Sequence, residues 1–264
     1  MVSKESADTP DRITQGEGLW EGRLLKFNRL NSTNAWAMHH LDSCRHGDVV
    51  WAISQTTGRG RLSRSWLAPD DRGLTLSVVL KDLEQDEIVP ILGQVAALAV
   101  RDMLETHSIH SSLKWPNDVM VHDKKIAGIL AEVDSDRNVV ILGIGVNVNV
   151  REDDMESAHL VQSATSMLIQ GGRTFDIESV RERFISDLER RINSVTLNGT
   201  SHVADTWARH DWLAGSSIKL HSSNGTVRGR YTGLDARGRL RLLDGQDRER
   251  VFWAGDVEKI VLDQ

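Results

Sequence analysis

The sequence predicts an α+β protein in which a mixed β-sheet with packed helices precedes a small β-barrel. Between residues 23 and 150, strand-like apolar runs alternate with helical patterns. An amphipathic helical pattern follows over residues 177–195. Near residue 213 the chain changes to short alternating strands separated by glycines, which is typical of a small all-β unit of about five strands.

Apolar periodicity and turn residues define each predicted element. The helix after the first strand has Asn31 or Ser32 as its N-cap, and Pro90 suits the first turn of a long helix. A turn near Asp123 interrupts one strand-like segment. The predicted strands of the first domain are 23–30, 48–54, 74–80, 112–116, 118–134 and 138–150. The predicted helices are 31–44, 89–105, 177–195 and 203–210, with a looser region at 151–167.

These patterns divide the chain into three parts. Residues 1–20 are polar and contain Pro10, so we expect a flexible N-terminal extension. Residues 21–212 form the α+β domain, and residues 213–264 form the small β-domain.

Composition limits the class of protein. The chain has 264 residues, 39% hydrophobic and 27% charged, with no internal repeat. Its start lacks an apolar signal segment, and no apolar run approaches the roughly 18 residues of a membrane span, so we expect a cytoplasmic protein. The single cysteine, Cys44, matches a reducing compartment. The formal net charge of -6 argues against a general nucleic-acid binder.

Residues 55–66, "QTTGRGRLSRSW", form a basic loop with three arginines and two glycines. The loop is neither a Walker loop, since no Lys-Ser or Lys-Thr follows, nor a Rossmann fingerprint, since the third glycine is missing. Closely spaced guanidinium groups repel one another unless an anion lies between them. From the residues alone, a solvated surface turn, an Arg-Gly segment touching RNA phosphates and an anion-binding loop all remain open.

Three further stretches are candidates for binding. Lys114 lies in a strand-like context before Pro116, although it could equally be an edge lysine whose stem packs on Trp115. Gly128 leaves space for a ligand or marks a bulge. The run 32–34, Ser-Thr-Asn, is an N-cap whose free backbone N–H groups also favour an anion or a urea-like acceptor.

The histidines His39, His40 and His46 lie near Cys44 in the sequence. Their spacing matches no structural zinc pattern, and we therefore assign no metal site. No Ser-His-Asp order is apparent either.

Taken together, the order of these motifs resembles that of the biotin protein ligases. The order is S-T-N, Q-x-x-G-R-G-R-x-x-R-x-W, K-W-P-N-D, K-x-A-G-I-L and G-x-G-V-N, followed by a small β-domain. The resemblance covers about residues 20–262 and is most specific in the arginine loop and "KWPND". Ser63 departs from the family, whose bacterial members commonly have glycine there. The segment before Arg23 is too short for a winged helix-turn-helix, so we expect a ligase without DNA-binding repressor function.

The resemblance implies a biotin-[acetyl-CoA-carboxylase] ligase. Such enzymes activate biotin with ATP to biotinyl-5'-AMP and transfer biotin to a lysine of a biotin carboxyl carrier domain of acyl-CoA or pyruvate carboxylases. The expected substrates are ATP and biotin, with Mg²⁺ as cofactor, and neither DNA nor a membrane is an expected partner. The implied fold is a class II aminoacyl-tRNA-synthetase-like catalytic domain with an SH3-like C-terminal barrel.

The resemblance also implies roles for individual residues. The expected catalytic residues are Lys114, Arg59 and Arg61. The expected biotin-binding residues are Ser32, Thr33, Asn34, Gln55, Gly58, Arg59, Gly60, Arg61, Lys114 and Gly128, with Ala131 beside Gly128 as a close wall. The expected ATP-binding residues are Arg61, Arg64, Trp66, Lys114, Asn117 and Asn147. No metal ligand can be assigned.

Two alternatives remain. A lipoate-protein ligase or octanoyltransferase shares the fold and reaction logic of the family but lacks "GRGR" and "KWPND" in this form. An Arg-Gly nucleic-acid module would bind with strong salt dependence. If the ligase interpretation holds, the basic loop is a lid that is mobile in the free protein and becomes ordered on ligand.

Overall fold

A computed structural model describes residues 9–260 except for 68, 70, 84–87 and 224. Residues 1–8 of the predicted extension and 261–264 of the predicted β-domain lie outside the described residues. In chain order the first elements are β1 (Arg12–Gln15), β2 (Arg23–Leu30), α1 (Thr33–His39), β3 (Val49–Gln55), β4 (Gly73–Lys81), α2 (Leu92–Thr106), β5 (Ser112–Lys114), β6 (Asp118–Val121), β7 (Lys124–Asp134), β8 (Val139–Asn147), α3 (Glu152–Ser157), α4 (Met167–Gly171), α5 (Ile177–Asn198) and α6 (Ser201–Ala208). They are followed by β9 (Ser217–Ser222), β10 (Gly225–Leu234), β11 (Leu240–Asp244), β12 (Glu249–Phe252) and β13 (Asp256–Lys259).

Eight strands form one sheet, and the mixture of parallel and antiparallel pairs confirms the predicted fold class. The hydrogen-bonded order is β1-β2-β3-β4-β8-β7-β6-β5. Strands β2 and β3 pair in parallel through the α1 connection, whereas the other neighbouring strands pair antiparallel. Every residue of β8 is buried, which explains its nearly continuous apolar sequence, since helices or loops cover both faces of a central strand.

Each face of the sheet has its own hydrophobic core. On β3, Val49 and Trp51 belong to the larger core, and Val50 and Ala52 belong to the smaller one. This alternation follows from the period of two along a strand. Helices α2 and α5 pack on the larger core, and α1 packs on the smaller one. The first residues of α1 are thereby held against the sheet.

The predicted flexible extension is wrong for residues 9–20. Strand β1 pairs antiparallel with β2, from Arg12 opposite Lys26 to Gln15 opposite Arg23. A short 3₁₀ turn follows, in which Leu19 is fully buried. An edge strand can be held by backbone hydrogen bonds without an alternating apolar pattern, which explains why polarity alone predicted the opposite.

The C-terminal domain is a five-stranded antiparallel sheet of order β12-β11-β10-β9-β13. A turn before β11 contacts the first domain at Gly238, whose carbonyl accepts hydrogen bonds from Gln94 Nε2 at 2.6 Å and Trp115 Nε1 at 3.1 Å. Gly238 has a φ of +73°, a left-handed conformation that favours glycine. Since Trp115 directly follows Lys114, this contact ties the C-terminal domain to the "KWPND" segment.

In the described part of the chain, no helix is both long and apolar enough to cross a membrane.

We predict that Gly238→Ala destabilises the protein. A Cβ at this position would lie 2.8 Å from both Gln94 Nε2 and Ile91 Cγ2, in addition to the cost of a left-handed alanine. The free energy of unfolding should fall by about 2–5 kcal/mol. The matched control is Gly172→Ala, with a φ of +63° and no heavy atom within 4 Å, for which only about 1 kcal/mol is expected. Urea unfolding of both variants measures the difference, and equal losses would contradict the packing argument.

Candidate active site

A cleft of about 140 Å³ lies between the start of α1, the sheet and the basic loop. Strands β4, β7 and β8 provide its floor, and residues 59–66 of the basic loop cover it. We call this covering segment, residues 59–66, the lid. The cleft is lined by Ser32, Thr33, Asn34, Gln55, Arg59, Gly60, Arg61, Leu62, Arg64, Ser65, Trp66, Thr75, Leu76, Lys114, Trp115, Pro116, Asn117, Asp118, Lys125, Gly128, Ile129, Leu130, Gly143, Ile144, Gly145 and Asp256.

One end of the cleft is polar because a helix begins there. Ser32 is the N-cap of α1, and its side chain accepts from the backbone N–H of Ala35. The backbone N–H of Thr33 donates to Gln55 Oε1 at 2.8 Å. The side chains at positions 32–34 are almost fully buried. The N-cap interpretation is thus confirmed, and the same residues line the cleft.

Glycines make room for the lid where it meets the sheet. Gly128 and Gly145 are paired across β7 and β8, and the Trp66 indole lies against both. A Cβ would lie 3.2 Å from Trp66 Cζ3 at Gly128, and 2.7 Å from Trp66 Cζ2 at Gly145. On the same strand, Gly143 makes room for the Asn34 amide. The G-x-G of β8 therefore serves side-chain packing.

Two lid arginines have carboxylate partners within the protein. Arg59 pairs with Glu132 of β7 at 2.7 Å, and Arg64 pairs with Asp256 of β13. The repulsion expected between the closely spaced guanidinium groups is therefore offset for these two, because the tertiary fold brings carboxylates from distant segments. Whether the free loop is mobile stays a prediction.

Arg61 and Lys114 are different, since neither has a carboxylate within ion-pair distance among the described residues. Arg61 donates instead to Asn117 Oδ1 at 3.2 Å and to the carbonyl of Gly255 at 3.4 Å. Burial lowers the pKa of the Arg61 guanidinium below its usual value. A fifth cation, Lys125, is paired with Asp118 at 2.6 Å. Among the described residues, the cleft therefore holds two cations that make no ion pair with a carboxylate, although Asp256 acts on both of them at longer range.

A second cavity of about 440 Å³ adjoins the cleft. The two share Arg64, Ser65, Trp66, Lys114, Asp118 and Lys125. The remaining lining residues are Leu67, Met120, Asp123, Asn147, Val150, Met155, Leu160, Gln162, Ser163, Ala164 and Trp212. Because Lys114 lines both spaces, it is one of the residues at their junction.

An aromatic ring lies beneath the Lys114 ammonium group. Lys114 Nζ is 5.2 Å from the centroid of Trp212, and Lys259 Nζ is 3.8 Å from it. Trp212 Nε1 donates to Asp123 Oδ1 at 2.6 Å, which fixes the ring. A ring attracts an ammonium group without cancelling its charge, whereas a carboxylate would neutralise it.

Most of the residues predicted for the site line the cleft, and three of them do not. Gly58 lies at the base of the lid, where its carbonyl accepts from the Trp66 backbone N–H. Asn147 lines the second cavity and donates to the Thr165 carbonyl. Ala131 lines a neighbouring cavity that shares Arg61 and Asn117 with the cleft.

Sequence reasoning missed several residues of this site. They are Thr75, Ser77, Asp118, Lys125, Glu132, Trp212 and Asp256. Asp118 and Lys125 belong to the motifs quoted above and could have been named from them. The others lie in strands, in the turn at Trp212 or in the C-terminal domain, where no motif distinguishes them from structural residues.

The cysteine and histidines near residue 44 form no catalytic group. Burial raises the pKa of Cys44 to about 11, which disfavours the thiolate. His39 and His40 bond to backbone carbonyls one turn earlier in their own helix. In the described ranges, no cluster of three or more His, Cys, Asp or Glu side chains is arranged to hold a metal ion.

Comparison with known families gives two matches. Residues 24–149 match the "Biotin/lipoate A/B protein ligase family", and residues 214–259 match the "Biotin protein ligase C terminal domain". The biotin protein ligase of Aquifex aeolicus, solved in complex with biotin and ATP, superposes with a TM-score of 0.80 at 26% identity, over 90% of this chain and 99% of that one.

Relatives with assigned names agree with these matches. The biotin--[acetyl-CoA-carboxylase] ligase of Mycobacterium tuberculosis is 34% identical over 221 residues, 80% of this chain and 78% of that protein. The bifunctional ligase/repressor BirA of Bacillus spizizenii is 30% identical over 243 residues, 90% of this chain and 74% of that protein. Fold and site together define a ligase with a small C-terminal antiparallel domain. More narrowly, the chain belongs to the biotin protein ligases within the biotin/lipoate A/B protein ligase family.

We predict that Asp256→Asn loosens the lid. Burial alone would raise the pKa of Asp256, but the hydrogen bond from Arg64 and the nearby Lys114 and Arg61 charges hold it below the usual range. The ionised carboxylate therefore anchors Arg64, and its loss should increase the rate of trypsin cleavage after Arg64 roughly twofold to fivefold. The control is Asp244→Asn, which removes a carboxylate paired with Arg248 in the same domain. Equal cleavage of wild type and Asp256→Asn would show that this pair does not hold the lid.

Proposed function

We propose that this protein activates biotin with ATP and transfers the biotinyl group to a lysine of a biotin carboxyl carrier domain. In the first step a biotin carboxylate oxygen attacks the α-phosphorus of ATP, forming the acyl-phosphate bond while pyrophosphate leaves. In the second step the neutral amine of the acceptor lysine attacks the acyl carbon, an amide forms and AMP leaves. The observation that carries the proposal is the junction of two cavities at Lys114, beside a second unpaired cation, Arg61.

Charge is the main obstacle in the first step, because a carboxylate must approach a phosphate. Lys114, at the junction, can contact both groups and stabilise the charge that develops on the phosphoryl oxygens. Arg61 offers planar, forked donors to the same anions. Both cations can bind an incoming anion because no carboxylate of the described structure holds them in an ion pair.

The cleft beneath the lid is proposed to bind biotin, which has a polar urea head and an apolar body. Thr33, Ser32 and Gln55 provide hydrogen-bonding groups at the polar end. Ile129, Leu130 and Ile144 provide apolar surface along the floor. A mostly apolar pocket with a few placed polar groups is typical of small-molecule sites.

The second cavity is proposed to bind the nucleotide. Its volume of about 440 Å³ suits a molecule of that size, and Met155, Leu160 and Trp66 offer flat or adaptable apolar surfaces for a base. Arg64, Lys114 and Lys125 line the side it shares with the cleft, where the phosphates would lie. Asn117 Oδ1 accepts a hydrogen bond from Arg61, and we therefore assign Asn117 the role of holding this guanidinium group.

Magnesium is proposed to arrive with ATP. The three carboxylates nearest the cleft cations, Glu132, Asp256 and Asp118, are each already paired with one of them. These residues do not fit a dedicated cation site, and Mg²⁺ would be held mainly by phosphate oxygens and water. Cytoplasmic location is proposed because the sequence has a single cysteine, Cys44, which suits a reducing compartment.

We predict that Lys114→Ala abolishes adenylate formation while leaving the fold intact. The barrier should rise by about 2–4 kcal/mol, because a charge that acts mainly in the transition state is removed. Pyrophosphate release is followed with ATP and either biotin or lipoate, and wild type should respond to biotin. Lys219→Ala, on the outer face of β9, is the control. Near-normal release by Lys114→Ala would reject the assignment, and a wild-type response to lipoate alone would reject biotin as substrate.

We predict that Arg61→Gly releases the activated intermediate early. Arg61 links the lid to Asn117 and to the Gly255 carbonyl, and its loss removes both links and a cation facing the adenylate. Biotinyl-AMP should therefore dissociate faster and label lysines of unrelated proteins. Mass spectrometry of bystander proteins measures this labelling. Modification confined to the carrier lysine, with unchanged adenylate dissociation, would be incompatible with this role.

A further inference from the structure

A continuous set of hydrogen bonds, buried at Ser77 and partly exposed at Glu132, joins the polar end of the cleft to the lid. Gln55 Oε1 accepts from the Thr33 backbone at 2.8 Å. Ser77 Oγ of β4 lies 2.7 Å from Thr33 Oγ1 and 2.5 Å from Asn34 Oδ1. Asn34 Nδ2 then donates to Glu132 Oε2 at 2.8 Å.

The directions of these hydrogen bonds follow from the chemistry of the groups. Asn34 Nδ2 faces two acceptors, the Leu130 carbonyl at 3.2 Å and the Glu132 carboxylate, which fixes the amide orientation. Asn34 Oδ1 can only accept, so Ser77 must donate its one hydroxyl proton to it. Thr33 Oγ1 lies within hydrogen-bond distance of two acceptors, Ser77 Oγ at 2.7 Å and Gln55 Oε1 at 3.3 Å, and its single proton serves one of them. Every member of the set therefore depends on its neighbour.

Glu132 is where this set of hydrogen bonds meets the lid. Its two carboxylate oxygens accept from Arg59 NH2 at 2.8 and 2.7 Å, while one of them also accepts from Asn34. Glu132 lies on β7, outside the residues that line the cleft. Its side chain is 28% exposed, and that of Arg59 is 47% exposed. A partly exposed ion pair is strong enough to bias a loop and weak enough to open.

We propose that Glu132 is a positioning residue that couples the polar end of the biotin cleft to the lid arginine Arg59. A ligand that engages Thr33 or Asn34 would act on Glu132 through Ser77 and Asn34, and thereby on the position of the lid. Conversely, an ordered lid would hold Asn34 and Thr33 in their bound orientation. The effect on chemistry rests on the proposed function, whereas the effect on the lid does not.

Glu132→Gln tests the proposal with almost no change in volume. A carboxylate accepts on both oxygens, but a Gln amide presents one acceptor and one donor. The donor would face either Arg59 or Asn34, both of which are themselves donors here. In either orientation of the amide, Arg59 loses at least one of its two hydrogen bonds and the negative charge of its partner, so the lid should be held less well. The matched control is Glu178→Gln, which removes the charge of a carboxylate paired with Lys26 at 2.7 Å, on a different part of the surface.

The first measurement is limited trypsin proteolysis of the ligand-free protein. Glu132→Gln should be cut within residues 59–64 roughly fivefold to tenfold faster than wild type and Glu178→Gln, at an unchanged melting temperature. If the melting temperature of Glu132→Gln falls, Arg59→Leu provides the same test from the other partner, and it should be cut after Arg61 and Arg64 at the same raised rate. Cleavage of both variants at the wild-type rate would overturn the proposal.

The second measurement is dissociation of biotinyl-AMP from preloaded enzyme. Glu132→Gln and Arg59→Leu should each accelerate dissociation roughly tenfold, and the double variant should be no faster than the faster single variant, because both changes break one pair. Additive effects in the double variant would overturn the coupling. If wild type forms no biotinyl-AMP, the proposed function fails, and the proteolysis result still decides whether Glu132 holds the lid.

Discussion

The balance of charge in the cleft is the constraint on which the rest of the site depends. Five cations line the space, and carboxylates neutralise three of them. The other two, Arg61 and Lys114, make no ion pair among the described residues, and their direct contacts are with neutral groups: an amide, a carbonyl and the Trp212 ring. A buried or half-buried cation without a counter-ion is costly unless an anion arrives. The site is therefore arranged to favour negatively charged ligands at one defined place.

The lid depends on groups that the fold brings from both domains. Arg59 is held by Glu132 of the large sheet, and Arg64 by Asp256 of the C-terminal sheet. The C-terminal domain is itself fixed to the segment after Lys114 through the Gly238 carbonyl. This small domain therefore contributes directly to the site, because its position determines where one end of the lid is anchored.

Space is the second constraint, and glycines satisfy it. The Trp66 indole reaches the sheet only because Gly128 and Gly145 lack side chains at adjacent positions of β7 and β8. Gly143 provides the same clearance for the Asn34 amide, the residue through which Glu132 is connected to the cleft. The packing of Trp66 on the sheet and the hydrogen bonds of Asn34 thus both depend on close approach of a side chain to the backbone of β8.

The sequence by itself determined the α+β class, the main strands and helices, and the residues at the start of α1, in the basic loop and in "KWPND". Local patterns are enough for these features, because periodicity, N-cap chemistry and short motifs act over a few neighbouring residues. The tertiary structure alone decided that residues 12–15 form an edge strand, that Arg59 and Arg64 have internal partners, and that Asn147 lies in a second cavity. It also decided the roles of Ser77, Glu132 and Asp256. Those roles arise from contacts between residues 43 to 192 positions apart, and such pairs carry no local signal in a single sequence.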